Sequence, residues 1–263
     1  MQSSIAANRI SFQYKNEAFG LRNVSVEVQK GQLCSIIGPN GGGKTTLLRN
    51  LARQIGTREK NEILLNGRAL NGYGQRELAK NMAVVNQNNS IPFEFSVEDI
   101  VLMGRTPYLT RFAPESKHDR KVAGEAMQKT GVTHLRGKTV TQISGGELQR
   151  VIIARALAQQ TGVILLDEPI SQLDMNHQVR IMELLRALCR EEGVAVVVVL
   201  HDLNIAAQYS DKLMLVKDGE MLAADAPEAV ITKGNMRMAY GIEAEIIRNP
   251  QTDKPFIIHV SCI

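Results

Sequence analysis

Nine consecutive residues, Gly38, Pro39, Asn40, Gly41, Gly42, Gly43, Lys44, Thr45 and Thr46, satisfy the spacing G-x-x-x-x-G-K-[ST]. Glycines at such a turn let backbone N–H groups curl around phosphate oxygens, where a Cβ would block the approach. The context agrees: "LCSII" before it is a short apolar run suited to a buried strand. After it, Leu47, Leu48, Leu51 and Ile55 mark one face of a helix, whose positive end favours an anion. Lys44 is expected to reach the β- and γ-phosphates of a nucleotide, and Thr45 to hold Mg²⁺ through its hydroxyl.

A second element completes such a site. In "VILLDEP" (163–169) an apolar strand delivers Asp167 and Glu168 to the carboxyl edge of a sheet, where α/β ligands bind. Asp167 then belongs in the Mg²⁺ shell, and Glu168 is the candidate general base for an attacking water. Taken alone, an acidic pair after a strand is more often a helix cap; the phosphate loop is what reverses that balance. Gln87 follows the strand-like "MAVVNQ" and offers an amide to Mg²⁺ or to the water. His201 follows "VAVVVVL" and would emerge on the same edge, within reach of a γ-phosphate.

One hundred residues beyond Lys44 lies "ISGGELQR" (143–150). Ser144 and Glu147 fit the capping-box pattern, so a capped helix accounts for them. Gly145 and Gly146 ask for more, because glycine costs up to about 1 kcal/mol in a helix relative to alanine. They leave bare N–H groups at a helix N-terminus, a second anion site in a chain that already has one. The simplest resolution is that this turn serves a nucleotide bound to a second copy.

These residues need a scaffold, and the periodicities supply one. Ile10, Phe12 and Tyr14 alternate with polar neighbours, as do Val24, Val26 and Val28, giving two N-terminal strands. Asn66-Gly67 and Asp218-Gly219 are hairpin signals. From about Ser96 to Thr141 the pattern turns helical, with a capping box at Ser96 and Asp99 and helical spacing over Asp119–Thr130. Strand–helix alternation resumes afterwards, which implies a largely parallel sheet covered by helices. The tail from Ala226 reads as a short helix and two strand-like pieces.

Composition is that of an ordinary soluble protein: 263 residues, 44% hydrophobic, 22% charged. A net charge of +4 is far from a nucleic-acid-binding signature, and no nucleic-acid partner is expected. Cys34, Cys189 and Cys262 are odd in number and widely spaced, as for reduced cytosolic thiols. The N-terminal stretch shows no export signal, and the longest aliphatic run is too short to span a bilayer. His259 and Cys262 lack further ligands at metal-binding spacing.

Taken together, the motifs resemble those of the ATP-binding-cassette (ABC) ATPases, in the family's order and over nearly the whole chain. The resemblance implies a P-loop NTPase (RecA-like) α/β fold with a parallel-sheet core, an N-terminal antiparallel β region and an inserted helical subdomain. The corresponding division is a core of residues 1–92 and 142–225, an insertion of 93–141, and a C-terminal extension of 226–263. Residues 38–46 match the family's Walker A loop, Gln87 its Q-loop, Asp167 and Glu168 its Walker B pair, and His201 its switch histidine. "ISGGE" matches the signature, Asp174 the D-loop aspartate, and Tyr14 the aromatic that stacks on adenine. ATP and Mg²⁺ are the implied cofactors. Two such subunits, here a homodimer, would sandwich two ATP molecules, each signature turn facing the opposite P-loop.

"VLMGRTPYL" (101–109), "LDMNHQ" (173–178) and the tail from Tyr240 are similar to the group serving iron–siderophore, haem and cobalamin importers. That likeness implies integral-membrane permease subunits, an indirect periplasmic or extracellular substrate-binding protein, and a peripheral place on the cytoplasmic face of the membrane. Two departures stand out. Glu147 and Ile143 occupy positions where Gln and Leu are common, and Ile170 follows Pro169 where Thr is frequent. A carboxylate beside a γ-phosphate would be repelled, so Glu147 is expected to turn back to the Ser144 amide or to meet the ribose. Rival readings are a non-transport ABC ATPase, for example in iron–sulfur assembly, and a P-loop kinase or GTPase. The second leaves "ISGGE" and His201 without a role.

Overall fold

The computed structural model describes residues 3–14, 20–55, 63–87, 94–110 and 114–262. The sheet that positions the chemistry is built from β3 (Leu33–Ile37), β6 (Met82–Val85), β7 (Val163–Asp167), β8 (Ala195–Val199), β9 (Lys212–Lys217) and β10 (Glu220–Asp225). Its order is β10-β9-β3-β8-β7-β6, parallel except for β10. β3, β7 and β8 are buried along their full length, which explains their unbroken apolar sequences. Parallel strands all end on one side, so the loops after β3, β6, β7 and β8 share one edge.

A second, antiparallel sheet packs beside it. It comprises β1 (Ser3–Gln13), β2 (Gly20–Gln29), β4 (Ile63–Leu65) and β5 (Arg68–Ala69), in the order β2-β1-β4-β5. The turn from β4 to β5 has Asn66 at φ 51° and Gly67 at φ 78°, as the Asn-Gly pair predicts. Asp218 and Gly219 repeat the device between β9 and β10, at 51° and 80°.

α1 (Lys44–Leu51) follows the phosphate loop and lies under the sheet. It stops short of Ile55, which the helical spacing had included. The chain turns out at Arg53, φ 54°, whose guanidinium is held by the carbonyls of Leu70 and Tyr73. β6 likewise ends at Val85, two residues before Gln87.

α2 (Gln75–Asn81) precedes β6. The helical section contains α3 (Val97–Leu102), a 3₁₀ segment over Met103–Tyr108, and α4 (Lys117–Lys129). Capping boxes start both helices, at Ser96 with Asp99 and at Ser116 with Asp119. Both pack on α5 (Gly145–Ala158), the helix that begins at the second glycine pair. The 92/93 boundary inferred from the sequence lies outside the described residues.

α6 (Met175–Glu192) and α7 (Leu203–Tyr209) flank β8 in sequence. The tail holds two short helices rather than one, α8 (Pro227–Val230) and α9 (Lys233–Tyr240), then a hairpin of β11 (Ile242–Arg248) and β12 (Pro255–Cys262). No helix among the described residues is long and apolar enough to cross a membrane.

Candidate nucleotide site

Four loops converge at the carboxyl edge of the sheet. Asn40–Thr46, Glu168 and His201 line an open cavity of about 260 Å³. The phosphate loop needs its glycines. A Cβ on Gly38, at φ 147°, would lie 1.9 Å from the Val216 carbonyl, and Gly43 caps α1 at φ 108°. Gly41 sits at φ 76°, a left-handed backbone that favours glycine, although no atom lies within 4 Å of where its Cβ would be. Lys44 is buried and donates from Nζ to the carbonyls of Gly38 and Pro39, both at 2.9 Å. An ammonium has three donors, so one remains for an oxygen in the cavity. Burial pulls the Lys44 pKa down, and the nearby Glu168 and Asp167 carboxylates pull it back up.

Beside it, Thr45 donates from Oγ1 to Oδ1 of Asp167 at 3.0 Å. Asp167 is almost fully buried, which raises its pKa, while the Thr45 bond opposes that rise. Hydroxyl, carboxylate and the amide oxygen of Gln87 are hard donors of the kind Mg²⁺ takes. Glu168 adopts φ 49°, a left-handed backbone that turns the chain sharply off the end of β7. Both its oxygens are engaged. Oε2 accepts from Gln87 Nε2 at 2.8 Å, and Oε1 contacts His201 Nε2. Three residues that were picked from separate segments thus meet in one cluster.

Tyr14 follows β1 and lies half-buried. Its hydroxyl is 3.3 Å from Thr46 Oγ1, and its ring meets Phe12 edge-on at 4.7 Å. That contact places an aromatic beside the phosphate loop.

The Ser144–Glu147 turn is elsewhere. Among the described residues, the cavity beside Lys44 takes no lining from this turn. Its capping box is complete: Ser144 Oγ accepts from the Glu147 N–H at 3.3 Å, and Glu147 Oε2 accepts from the Ser144 N–H at 2.8 Å. Glu147 therefore turns back to the Ser144 amide, the first of the two orientations expected of it. That backbone bond, followed by the Ser144 hydroxyl, holds the carboxyl below its ordinary pKa. Gly145 and Gly146 lie against Gln172 and Leu173, where an added Cβ would have neighbours at 3.4 Å.

The loop from Glu168 to Asp174 is fastened by Asp174 itself and by two residues, His177 and Gln178, for which no individual role is read from the sequence. Gln178 donates to the carbonyls of Ile170 at 3.2 Å and Leu173 at 3.0 Å. Asp174 caps α6, accepting from the His177 N–H at 2.9 Å, with His177 Nδ1 2.9 Å from each carboxylate oxygen. The Asp-x-x-His spacing at a helix start was the available signal; Gln178 gave none. His259 and Cys262 form part of no metal-ligating cluster among the described residues.

This geometry has relatives. The family model described as ABC transporter matches residues 21–171. The ferric enterobactin transport ATP-binding protein FepC of Escherichia coli (strain K12) is 39% identical over 236 residues, covering 90% of this chain and 87% of that protein. A solved structure of a metal-chelate type ABC transporter in an inward-facing conformation superposes with a TM-score of 0.83 at 28% identity, covering 99% of this chain and 98% of that one. The dimeric structure of a bacterial ABC transporter cassette gives 0.75 at 32% identity, over 84% and 98%. The chain belongs to the ABC transporter family, as an ATP-binding and ATP-hydrolysing subunit.

Proposed function

We propose that this chain powers import of an iron-siderophore, haem or cobalamin-type substrate, as one of two identical ATPase subunits beneath a membrane permease. The observation that carries the composite site is the separation just described: Lys44 and Glu168 share a cavity, while Ser144–Glu147 lies outside it. A helix N-terminus that offers N–H groups to an anion but does not line its own chain's phosphate cavity fits a two-fold pair. The likeness to FepC supports the cargo class.

ATP would lie with its phosphates in the Gly38–Thr46 loop and its adenine on Tyr14. Lys44 would bond the β- and γ-phosphates. Thr45, Asp167 and Gln87 would hold Mg²⁺, which neutralises charge on the transferred phosphoryl group. Glu168 would take a proton from water as the water oxygen bonds the γ-phosphorus and the bond to the β–γ bridging oxygen breaks, releasing ADP and phosphate. His201 would bond the γ-phosphate. Ser144, Gly145, Gly146 and Glu147, with Asp174 in the adjoining loop, would close on the partner's ATP. The helical block that begins beyond Gln87 would pass that closure to the permease on the cytoplasmic face of the membrane, with a periplasmic or extracellular binding protein delivering cargo.

The test is purification from detergent-solubilised membranes. A polytopic permease should accompany the chain, and ATP turnover in the complex should rise with binding protein loaded with a ferric siderophore, haem or cobalamin. Recovery only with soluble scaffold proteins would favour the iron–sulfur assembly reading instead.

A further inference from the structure

Glu168 stands on a backbone that needs support. It adopts φ 49°, a conformation that a residue with a side chain keeps only where its surroundings over-determine it. Part of that support precedes it, since Asp167 still pairs with Val199 at the end of β7. The rest must come from the residues that follow.

The Glu168 carbonyl accepts from the Ser171 N–H at 3.4 Å and from Ser171 Oγ at 3.0 Å. Ser171 belongs to a turn, closed by the Leu173 N–H donating to the Ile170 carbonyl at 3.1 Å. Ile170 and Leu173 are buried, while Ser171 and Gln172 between them are exposed. A surface turn closed by one bond would open easily, but here one side chain fastens both of its ends. Gln178 Nε2 donates to the carbonyls of Ile170 and Leu173, using both of its N–H groups. Gln178 lies half-buried in the first turn of α6, and its backbone N–H donates to the Asp174 carbonyl at 2.9 Å. The helix is a firm platform, because Ile181, Met182, Leu185, Leu188 and Cys189 bury its inner face in the core. A chain of contacts thus runs from the core, through Gln178 and the turn, to the peptide of Glu168.

We propose that Gln178 is a positioning residue for ATP hydrolysis: by pinning the Ile170–Leu173 turn it holds Glu168 in its left-handed backbone, with the side chain on the phosphate cavity. Without the amide, two carbonyls lose their donor and the turn shifts. Glu168 then relaxes toward an ordinary φ, which carries its carboxylate away from the water it must deprotonate. The inference rests on reading Glu168 as the general base.

Gln178→Leu in the full-length chain keeps the bulk and removes both donors. Gln178→Glu keeps the shape and, when ionised, donates nothing either. In both variants kcat should fall about ten- to a hundredfold, the effect of a misplaced reacting group. Affinity for ADP with Mg²⁺ should stay within about twofold, because the phosphate loop is untouched. Turnover within about twofold of wild type in either folded variant would overturn the proposal even if the melting midpoint falls, because a glutamine that merely stabilises α6 would move only the midpoint. A loss of ADP affinity as large as the loss of kcat would overturn it too. Glu168→Gln separates the two layers: if that variant turns over ATP near the wild-type rate, the base reading fails and the proposal with it. If it is inactive while the Gln178 variants are not, the positioning role alone fails.

Discussion

Gln87 donates its side-chain amide to Glu168 at 2.8 Å, although 81 residues separate them in sequence. His201 takes the other carboxylate oxygen, so groups from the ends of β6 and β8 converge on the residue after β7. The arrangement gives Glu168 a fixed position but also two competitors for the proton-accepting oxygens.

Glu168→Gln should therefore leave ATP binding intact while lowering kcat by about 10²-fold or more, the usual worth of a general base. Closed pairs should accumulate with ATP on gel filtration. Hydrolysis near the wild-type rate would remove Glu168 from that role.

Lys44→Ala should weaken ATP binding by at least about 30-fold, since it deletes hydrogen bonds from a charged donor to phosphate. Isothermal titration would read this directly. Retained affinity would mean that the ammonium serves only to pin the Gly38 and Pro39 carbonyls.

The composite site predicts complementation. Lys44→Ala disables a chain's own phosphate loop, and Ser144→Arg disables the turn it offers its partner. Each variant alone should be inactive, but a mixture contains heterodimers with one intact site and should recover measurable turnover. No recovery in a mixture shown to exchange subunits would argue that each chain completes its own site.

Arg105 and Asp119 pair inside the helical section, at 2.9 Å and almost fully buried. Arg105 also donates to the Ala158 carbonyl and stacks on Tyr108 at 4.0 Å. Asp119→Asn should destabilise the chain by about 3 kcal/mol in a urea titration, because it strands a buried guanidinium. The Ser116 bonds, then Arg105, hold the Asp119 pKa at about 2 rather than 3.8. A folded-state pKa below the unfolded one stabilises above pH 3.8, and that contribution fades as pH falls toward about 2. The gap between wild type and variant should close over that window.

Much of this site could be read from residue order because its parts are local. The phosphate loop, the Asp167-Glu168 pair and the Ser144–Glu147 capping box each declare themselves within a few residues, and buried parallel strands announce themselves as unbroken apolar runs. Long-range partnerships carried no such signal. Nothing in "GRTPY" says that Arg105 finds Asp119. Ile55 shows the opposite error: its spacing suited a helix, but a left-handed Arg53 had already turned the chain away. Gln178 is invisible for a similar reason, since a glutamine on a helix that ties down a preceding loop looks like any solvent-facing residue.

The left-handed backbone at Glu168 has a consequence for how this protein can change. A side chain there is held against its preference, at a cost of order 1 kcal/mol, while glycine would sit at ease. Laboratory selection for thermal tolerance alone would drift toward glycine at this position and yield sturdier chains that no longer turn over ATP. Sequences kept under demand for transport cannot take that route, so the least comfortable peptide in the site marks where durability and work are in direct opposition.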